Sequence, residues 1–288
     1  MASVGETSYP DGVYPPSDDT FLLVDALDFD TTAAAAGGGG GGGGVETKRK
    51  APSRKSKEVV NVLPLDVTKV DTILEIGCGS GFVSTSASIL VPNAYVLGTD
   101  LSSRACLASK ATLEAHKRSG RADVVASESL CCIKATQGFD LILINPPYVP
   151  TSSEELLESL QVLRTKQMSL LGCAAACDVE TENAAFTLTW AGGIDGVEMT
   201  KVMLRAGLSR LSVRDGSRLY LIVVQENQPE EIGEYGTSIW DDVSCREHGS
   251  GKGGNTPSLS WSIALQTRAN NELLSVLRFV VGFVDKIV

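Results

Sequence analysis

The feature that most constrains the fold is a regular alternation of strand-like and helix-like segments that begins at Thr72. Short apolar runs such as "TILEI" (72–76) and "FDLILI" (139–144) are separated by stretches with helical spacing. Because parallel strands need a helical crossover between them, this alternation predicts an α/β fold with a mainly parallel, helix-covered sheet. The last two β-rich runs, 258–266 and 273–281, are joined by a loop so short that they must pair antiparallel.

A glycine-rich turn follows the first of these strands. The stretch "LEIGCGSGF" (74–82) places Glu75 at the end of the strand and Gly77, Gly79 and Gly81 before a helix. The GxGxG spacing differs from the GxGxxG of a dinucleotide-binding loop, and the Gly-Lys-Ser/Thr of a phosphate-binding loop is absent. The carboxylate of Glu75 disfavours a phosphate and suits a cationic or amine-bearing ligand.

A second acidic residue, Asp100, follows the next strand, "YVLGT" (95–99). At this position a carboxylate can accept hydrogen bonds from both hydroxyls of a ribose. A tight turn would explain the glycines alone, and a helix cap would explain Asp100 alone. Neither explains why the two motifs follow successive strands of the same alternating pattern. Together they predict a site for S-adenosylmethionine.

The stretch "INPPYVPT" (144–151) forms a third part of the same edge. Its two prolines remove two backbone donors and hold φ near about −65°, so the preceding strand must end there. Asn145 therefore stands at the carboxyl end of a strand, where open α/β sheets bind their ligands.

Beyond this turn the spacing predicts helices at 154–171 and 196–212 and a strand at 218–224. The segment 172–189 between the two helices has no clear pattern.

Low-complexity residues divide the chain. Residues 33–44 are four alanines followed by eight glycines, and a basic cluster comes next. We therefore expect an N-terminal segment, 1–30, with a helix at 14–27 that packs on the main domain, then an inserted Ala/Gly and basic linker at 31–57. The main domain would occupy 58–288.

Composition and charge exclude several classes of protein. The chain has 288 residues, of which 43% are hydrophobic, and a net charge of −10, so nucleic-acid binding is disfavoured. No apolar run is long enough for a membrane span and the N-terminus does not resemble a signal peptide, which predicts a cytoplasmic or nuclear protein. Seven cysteines without CxxC spacing and two histidines predict reduced thiols and no metal site.

These motifs together resemble those of class I S-adenosylmethionine-dependent methyltransferases. NPPY is similar to the signature of enzymes that methylate planar amide or exocyclic amine nitrogens. Four further segments, 13–27, "WAGGIDG" (190–196), "ENQPEEI" (226–232) and "ELLSVLRF" (272–279), resemble in order those of the eukaryotic and archaeal HemK/PrmC branch, which modifies translation release factors. The last two resemble its C-terminal strands. The resemblance implies a Rossmann-like, seven-stranded, mostly parallel sheet with an antiparallel C-terminal strand.

The resemblance also implies roles for individual residues. The cofactor pocket would be lined by Thr20, Glu75, Gly77, Gly79, Asp100, Glu128, Ser129 and Asn145. The catalytic residues would be Asn145, Pro146 and Tyr148. Glu128 and Ser129, in "VVASESL", are the match to the residues beside the adenine in the family. The polyglycine insert and the long distance between NPPY and WAGG are not family features.

The implied reaction is transfer of a methyl group to the side-chain amide nitrogen of the glutamine in the Gly-Gly-Gln motif of a class 1 translation release factor. The Asn145 oxygen and the Pro146 carbonyl would orient the amide, and Tyr148 would stack on it or wall it in. No protein nucleophile or metal is required. Members of this branch form a heterodimer with a small zinc-binding activator subunit that covers an apolar edge, and we expect the same partner here.

Three alternatives remain open at this point. The planar-nitrogen signature also admits a DNA adenine methyltransferase, although an acidic chain is poorly equipped to hold duplex DNA and flip a base. A histone lysine methyltransferase is the second alternative. The third is a catalytically silent platform for partner proteins, which the intact glycine turn, Asp100 and Asn145 disfavour.

Overall fold

The computed structural model describes residues 12–37, 58–59, 63–127, 133, 138–169, 179–248, 256–269 and 272–284. Within these ranges one sheet contains the strands β1 (Glu58–Val59), β2 (Thr72–Ile76), β3 (Tyr95–Asp100), β4 (Ala122–Ala126), β5 (Leu141–Ile144), β6 (Arg218–Val224), β7 (Thr256–Ala269) and β8 (Glu272–Val284). The helices are α1 (Asp18–Gly37), α2 (Phe82–Leu90), α3 (Ser103–Ala115), α4 (Ser153–Ser169), α5 (Val179–Thr187), α6 (Glu198–Leu208) and α7 (Pro229–His248).

The strand order is β1-β7-β8-β6-β5-β2-β3-β4. Strands β2 to β6 form parallel pairs, whereas β8 is antiparallel to both β6 and β7. This confirms the predicted α/β fold with an antiparallel C-terminal strand. The two-residue β1, which the sequence did not predict, pairs with β7 and adds an eighth strand at that edge. The strand order reverses between β2 and β5, and in doubly wound sheets such a point carries the ligand site.

Helices cover both faces of the sheet because its central strands are apolar on both sides. In β5, Leu141 and Leu143 pack in a core layer with side chains of α1, α2 and α3. Ile142 and Ile144 pack in the opposite layer with α6 and α7. No helix among the described residues has the length and hydropathy needed to cross a bilayer.

The N-terminal helix is longer than predicted. A helix was expected at 14–27, and α1 spans Asp18–Gly37. The four alanines at 33–36 have the highest helix propensity of any residue, so they continue the helix into the range 31–57 that was predicted to be a linker. Residues 38–57 lie outside the described residues.

Buried ion pairs attach α1 to the sheet. The carboxylate of Asp30 pairs with Arg278 of β8 at 2.7 Å and with Arg218 of β6 at 3.2 Å. The hydroxyl of Tyr220 donates to the same carboxylate at 2.5 Å. All four side chains are buried, so α1 is part of the folded core.

The C-terminal part contains a helix that the sequence analysis missed. Residues 226–232 were placed with the C-terminal strands, and this was wrong: they lie in a 3-10 turn and in the start of α7. Pro229 cannot donate to a strand ladder but suits the first position of a helix, where Glu230 and Glu231 also meet the positive end of the helix dipole. The helix α5 lies in the segment 172–189 that had no clear pattern.

The other predicted elements are confirmed. Helices α4 and α6 lie at 154–171 and 196–212 with small differences at their ends. Of the seven cysteines, Cys78 and Cys106 are free and buried in the described part of the chain.

Candidate functional site

A cavity of about 560 Å³ opens at the carboxyl ends of β2, β3 and β5. Among its lining residues are seven that the sequence predicted: Thr20, Glu75, Gly77, Gly79, Asp100, Asn145 and Tyr148. Pro146 is buried and does not line the cavity, whereas Pro147 does. Glu128 and Ser129 lie outside the described residues, so their contact with the adenine stays a prediction; the preceding Ser127 does line the cavity.

The glycine turn is fixed against the end of β3. The amides of Gly77 and Cys78 both donate to the carbonyl of Thr99, at 2.8 and 2.9 Å. Gly81 has a φ of +78°, and a Cβ at this position would lie 2.5 Å from the backbone Cα of Ser109 in α3. Position 81 therefore requires glycine for both conformation and space, and α2 can start directly at the cavity wall.

Asp100 joins two loops of the site. One carboxylate oxygen accepts from the Gly79 amide at 2.9 Å, and the other accepts from the Ser102 amide at 2.8 Å. Burial raises the pKa of Asp100, while these amide hydrogen bonds oppose the rise. Because each carboxylate oxygen can accept more than one hydrogen bond, the group retains capacity for a ligand. The cap of α3 is Ser102 rather than Asp100.

Glu75 is a buried carboxyl group at the end of β2. Burial raises its pKa from 4.5 to about 8, and a hydrogen bond from the Ser84 hydroxyl opposes the rise. At neutral pH Glu75 is therefore mostly protonated. A cationic group beside it would stabilise the carboxylate and displace the proton.

Asn145 follows β5 directly. Its Oδ1 atom is buried on the cavity wall and has no hydrogen-bond partner within the described part of the chain. An unpaired buried acceptor costs free energy unless a ligand supplies a donor. The site is therefore prepared for a ligand that donates an N–H or O–H at this point.

Tyr148 connects the NPPY turn to the N-terminal helix. Its hydroxyl donates to Oδ2 of Asp19 at 3.0 Å, and Asp19 also accepts from the Thr20 amide at 2.5 Å. Burial and the nearby Asp19 charge raise the pKa of Tyr148, so the phenol stays neutral and acts as a donor.

The backbone after NPPY is held by two motifs that are distant in sequence. The Asn227 side chain, in "ENQPEEI", donates to the carbonyls of Tyr148 at 3.3 Å and Asp195 at 2.9 Å. The Val149 amide donates to the carbonyl of Trp190 at 2.9 Å, in "WAGGIDG". Gly196 packs so closely on the Tyr148 carbonyl that a Cβ at this position would collide with it.

Helices α4 and α5 form a further wall of the cavity. Leu160, Leu163 and Ala185 from these helices line it, and Leu163 packs in a small cluster with Ala185 and Leu101. Leu101 directly follows Asp100. The long distance between NPPY and WAGG thus includes two helices that add apolar surface to the pocket.

The sequence of the chain is similar to those of several known proteins. The family described as "Methyltransferase small domain" matches residues 48–173. The "eRF1 methyltransferase catalytic subunit mtq2" of Schizosaccharomyces pombe is 29% identical over 230 residues, which are 77% of each chain. "Methyltransferase HEMK2" of Homo sapiens is 28% identical over 277 residues, 96% of this chain and 92% of that protein. "Release factor glutamine methyltransferase" of Geobacter sulfurreducens is 35% identical over 86 residues, 30% of this chain and 29% of that protein.

These similarities support the HemK/PrmC-type class of class I methyltransferases. Enzymes of this class use S-adenosylmethionine, and the residues present fit such a ligand. Glu75 offers a buried carboxyl group suited to an amino group, and Asp100 can accept from ribose hydroxyls while it holds the glycine turn.

Two residues of this methyltransferase site were missed by the sequence analysis. Asp19 was not among the predicted site residues, yet it lines the cavity and is 4% exposed. Asn227 lies in a motif that was taken for a strand. Its signal was the polar run "QENQ" directly after the apolar strand β6, at the same edge of the sheet as Asn145.

Proposed function

We propose that the protein transfers a methyl group from S-adenosylmethionine to the side-chain amide nitrogen of the glutamine in the Gly-Gly-Gln motif of a class 1 translation release factor. The observation that carries this proposal is that Asn145 lines the cavity and that its buried Oδ1 has no hydrogen-bond partner among the residues the structure describes. A primary amide NH₂ group supplies the donor that this atom lacks. The proposed substrate, a translation release factor, also implies a cytoplasmic location for the enzyme.

An amide nitrogen is a poor nucleophile because its lone pair is delocalised into the carbonyl. The site must therefore orient the nitrogen and stabilise the positive charge that develops on it. In this proposal Asn145 Oδ1 accepts an N–H of the amide and orients it. The second acceptor that the resemblance implies, the Pro146 carbonyl, belongs to a residue that does not line the cavity in this structure. Tyr148 walls in the plane of the amide.

The cofactor supplies a methyl group on a positively charged sulfur, which is a strong electrophile and needs no activation by the protein. The residues of the chain bind and orient it. We assign Glu75 to its amino group, Asp100 to its ribose hydroxyls, and Thr20 to its amino-acid end. The apolar side chains of α4 and α5 exclude water from the cavity.

The names of two relatives support the acceptor. One is called an eRF1 methyltransferase catalytic subunit and another a release factor glutamine methyltransferase. An adenine in duplex DNA would have to be unstacked at a cost of a few kcal/mol, and the net charge of −10 offers no compensating attraction to phosphates. Lysine has a tetrahedral ammonium group and presents no planar NH₂ to Asn145.

We also propose a small zinc-binding activator subunit as partner. The name of the Schizosaccharomyces pombe relative, a catalytic subunit, supports a second subunit in that protein. In this chain β4 is the last strand of the sheet, so one of its edges is unpaired among the described residues. Three large apolar side chains are exposed on the neighbouring elements: Tyr95 of β3, Leu107 of α3 and Val125 of β4.

The test of the acceptor compares three candidate substrates. The enzyme, with and without the activator, is incubated with labelled S-adenosylmethionine and, in separate reactions, a release factor, an adenine-containing duplex and a histone peptide. We expect label only in the release factor, and none in a factor whose motif glutamine is changed to asparagine. Label in the duplex or the histone peptide instead would overturn the proposal.

A further inference from the structure

The side chain of Tyr148 is held by a residue far away in the sequence. Its hydroxyl donates to Oδ2 of Asp19 at 3.0 Å, across a separation of 129 residues. Asp19 lies in the first turn of α1, is buried, and lines the same cavity as Tyr148. The N-terminal helix therefore reaches the wall where the acceptor group is proposed to bind.

The neighbours of Asp19 donate hydrogen bonds to both of its carboxylate oxygens, so both atoms must be acceptors. Oδ1 accepts from the Thr20 amide at 2.5 Å, from the Thr20 hydroxyl at 3.1 Å and from the Ser17 hydroxyl, while Oδ2 accepts from Tyr148. A carboxylate is the side chain that accepts at both atoms. An asparagine would place a donor NH₂ group against one of these donors, so the neutral isostere cannot reproduce the arrangement.

The backbone at Tyr148 has its own support, independent of α1. Asn227 binds the Tyr148 carbonyl, and Val149 is paired with Trp190 and Gly192 through backbone hydrogen bonds. The contact with Asp19 is therefore not needed to place the turn. What it adds is the orientation of the phenol ring over the cavity.

We infer that Asp19 is a positioning residue for methyl transfer: it fixes the Tyr148 ring as a wall of the acceptor pocket and, through Thr20, ties that wall to the cofactor side. This inference rests on the proposed function, because the ring is taken to confine the acceptor amide. Asp19 is 4% exposed, so the orientation is set by the protein before the acceptor arrives.

The kinetic test compares Asp19→Asn, Tyr148→Phe and the double variant. We expect each single variant to lower kcat for release-factor methylation about tenfold, with a smaller change in KM, because a ring that is no longer held in place confines the reacting amide less well in the transition state. The kcat of the double variant should lie within about threefold of the kcat of the less active single variant, since both changes remove the same hydrogen bond. Asp18→Asn is the matched control: Asp18 is exposed, and the change removes the same charge from the same helix end.

A second measurement does not depend on turnover. The six tyrosines are replaced by 3-fluorotyrosine, and the ¹⁹F resonance that disappears in Tyr148→Phe is assigned to Tyr148. We expect this resonance to shift in Asp19→Asn and to stay in place in Asp18→Asn.

The two measurements separate this inference from the proposed function. If the wild type does not methylate the glutamine but the Tyr148 resonance still shifts in Asp19→Asn, the proposed acceptor fails and the positioning contact stands. The inference is overturned if the resonance is unchanged, if kcat of Asp19→Asn equals that of Asp18→Asn, or if the two losses in kcat multiply in the double variant.

Discussion

At the scale of single residues, Glu75 shows how burial prepares a group for its ligand. The carboxyl group is buried at the end of β2, and burial raises its pKa to about 8. The proposed ligand group is a cation, which favours the carboxylate. Binding and deprotonation of Glu75 are therefore linked.

This linkage predicts a pH dependence. Below pH 8 the carboxyl group is protonated, so cofactor binding must release a proton, and affinity should rise with pH up to about 8 and then level off. Calorimetry at pH 7 in buffers of different ionisation enthalpy measures the released proton. The release should vanish in Glu75→Gln, and a binding enthalpy independent of the buffer in the wild type would contradict the assignment.

The same group affects the stability of the free protein. Its pKa in the folded state lies above the usual 4.5, so the folded state holds the proton more tightly than the unfolded chain does. Stability should therefore decline as pH rises from about 4.5 to about 8, and cofactor should reverse the decline.

The sequence predicted most of the residues of this site but not the hydrogen bonds that connect them. Glu75 and Asp100 were predicted because carboxylates at strand ends have a recognisable chemistry, whereas the hydrogen bonds of Asp100 to Gly79 and Ser102 depend on the folded loop. Asp19 could not be assigned, because its partner Tyr148 is 129 residues away and only the tertiary fold brings the two together.

At the scale of elements, α1 depends on its buried ion pairs. Asp30 is 1% exposed and faces the two guanidinium groups of Arg218 and Arg278. The helix places Asp19 and Thr20 at the cavity, so its attachment also maintains the site.

Removal of the carboxylate should therefore be severely destabilising. We expect Asp30→Ala to lower the free energy of unfolding by about 3 to 5 kcal/mol, because it leaves buried cations without their partner. Chemical denaturation measures the effect, with Asp28→Ala on the same helix as the control. Equal stability of the two variants would show that the buried cluster does not hold α1.

Elements with a strong local pattern were predictable, and those defined by tertiary contacts were not. The strand β5 is a continuous apolar run and β6 is one after its first residue, Arg218, and both form where predicted. The two-residue β1 has no local signal and exists through its pairing with β7. The helix α7 was missed because the motif that contains Pro229 was assigned to a strand by resemblance.

At the scale of the whole molecule, the sheet has an outer edge at β4, which pairs with β3 on one side only among the described residues. β4 is the last strand in the described sheet, and exposed apolar side chains lie on β3, α3 and β4. An exposed edge of this kind promotes aggregation unless a partner covers it.

We expect the protein to be poorly soluble alone and to form a stable heterodimer when co-expressed with the activator subunit. Val125→Lys should reduce the yield of heterodimer, because a charge would be placed on the covered edge. Val202→Lys is a control, since Val202 is exposed on α6 at the cavity. Size-exclusion chromatography with light scattering measures the complex, and a soluble, fully active monomer would argue against an obligate partner.

The most direct test of the account is the position of the methyl group on the product. A release factor is treated with the heterodimer and S-adenosylmethionine, and tandem mass spectrometry locates the added mass. We predict one methyl group on the side-chain nitrogen of the Gly-Gly-Gln glutamine with the wild type, and none with Asn145→Ala, although calorimetry still detects cofactor binding by that variant. An unmodified glutamine with the wild type, or normal methylation by Asn145→Ala, would contradict the account.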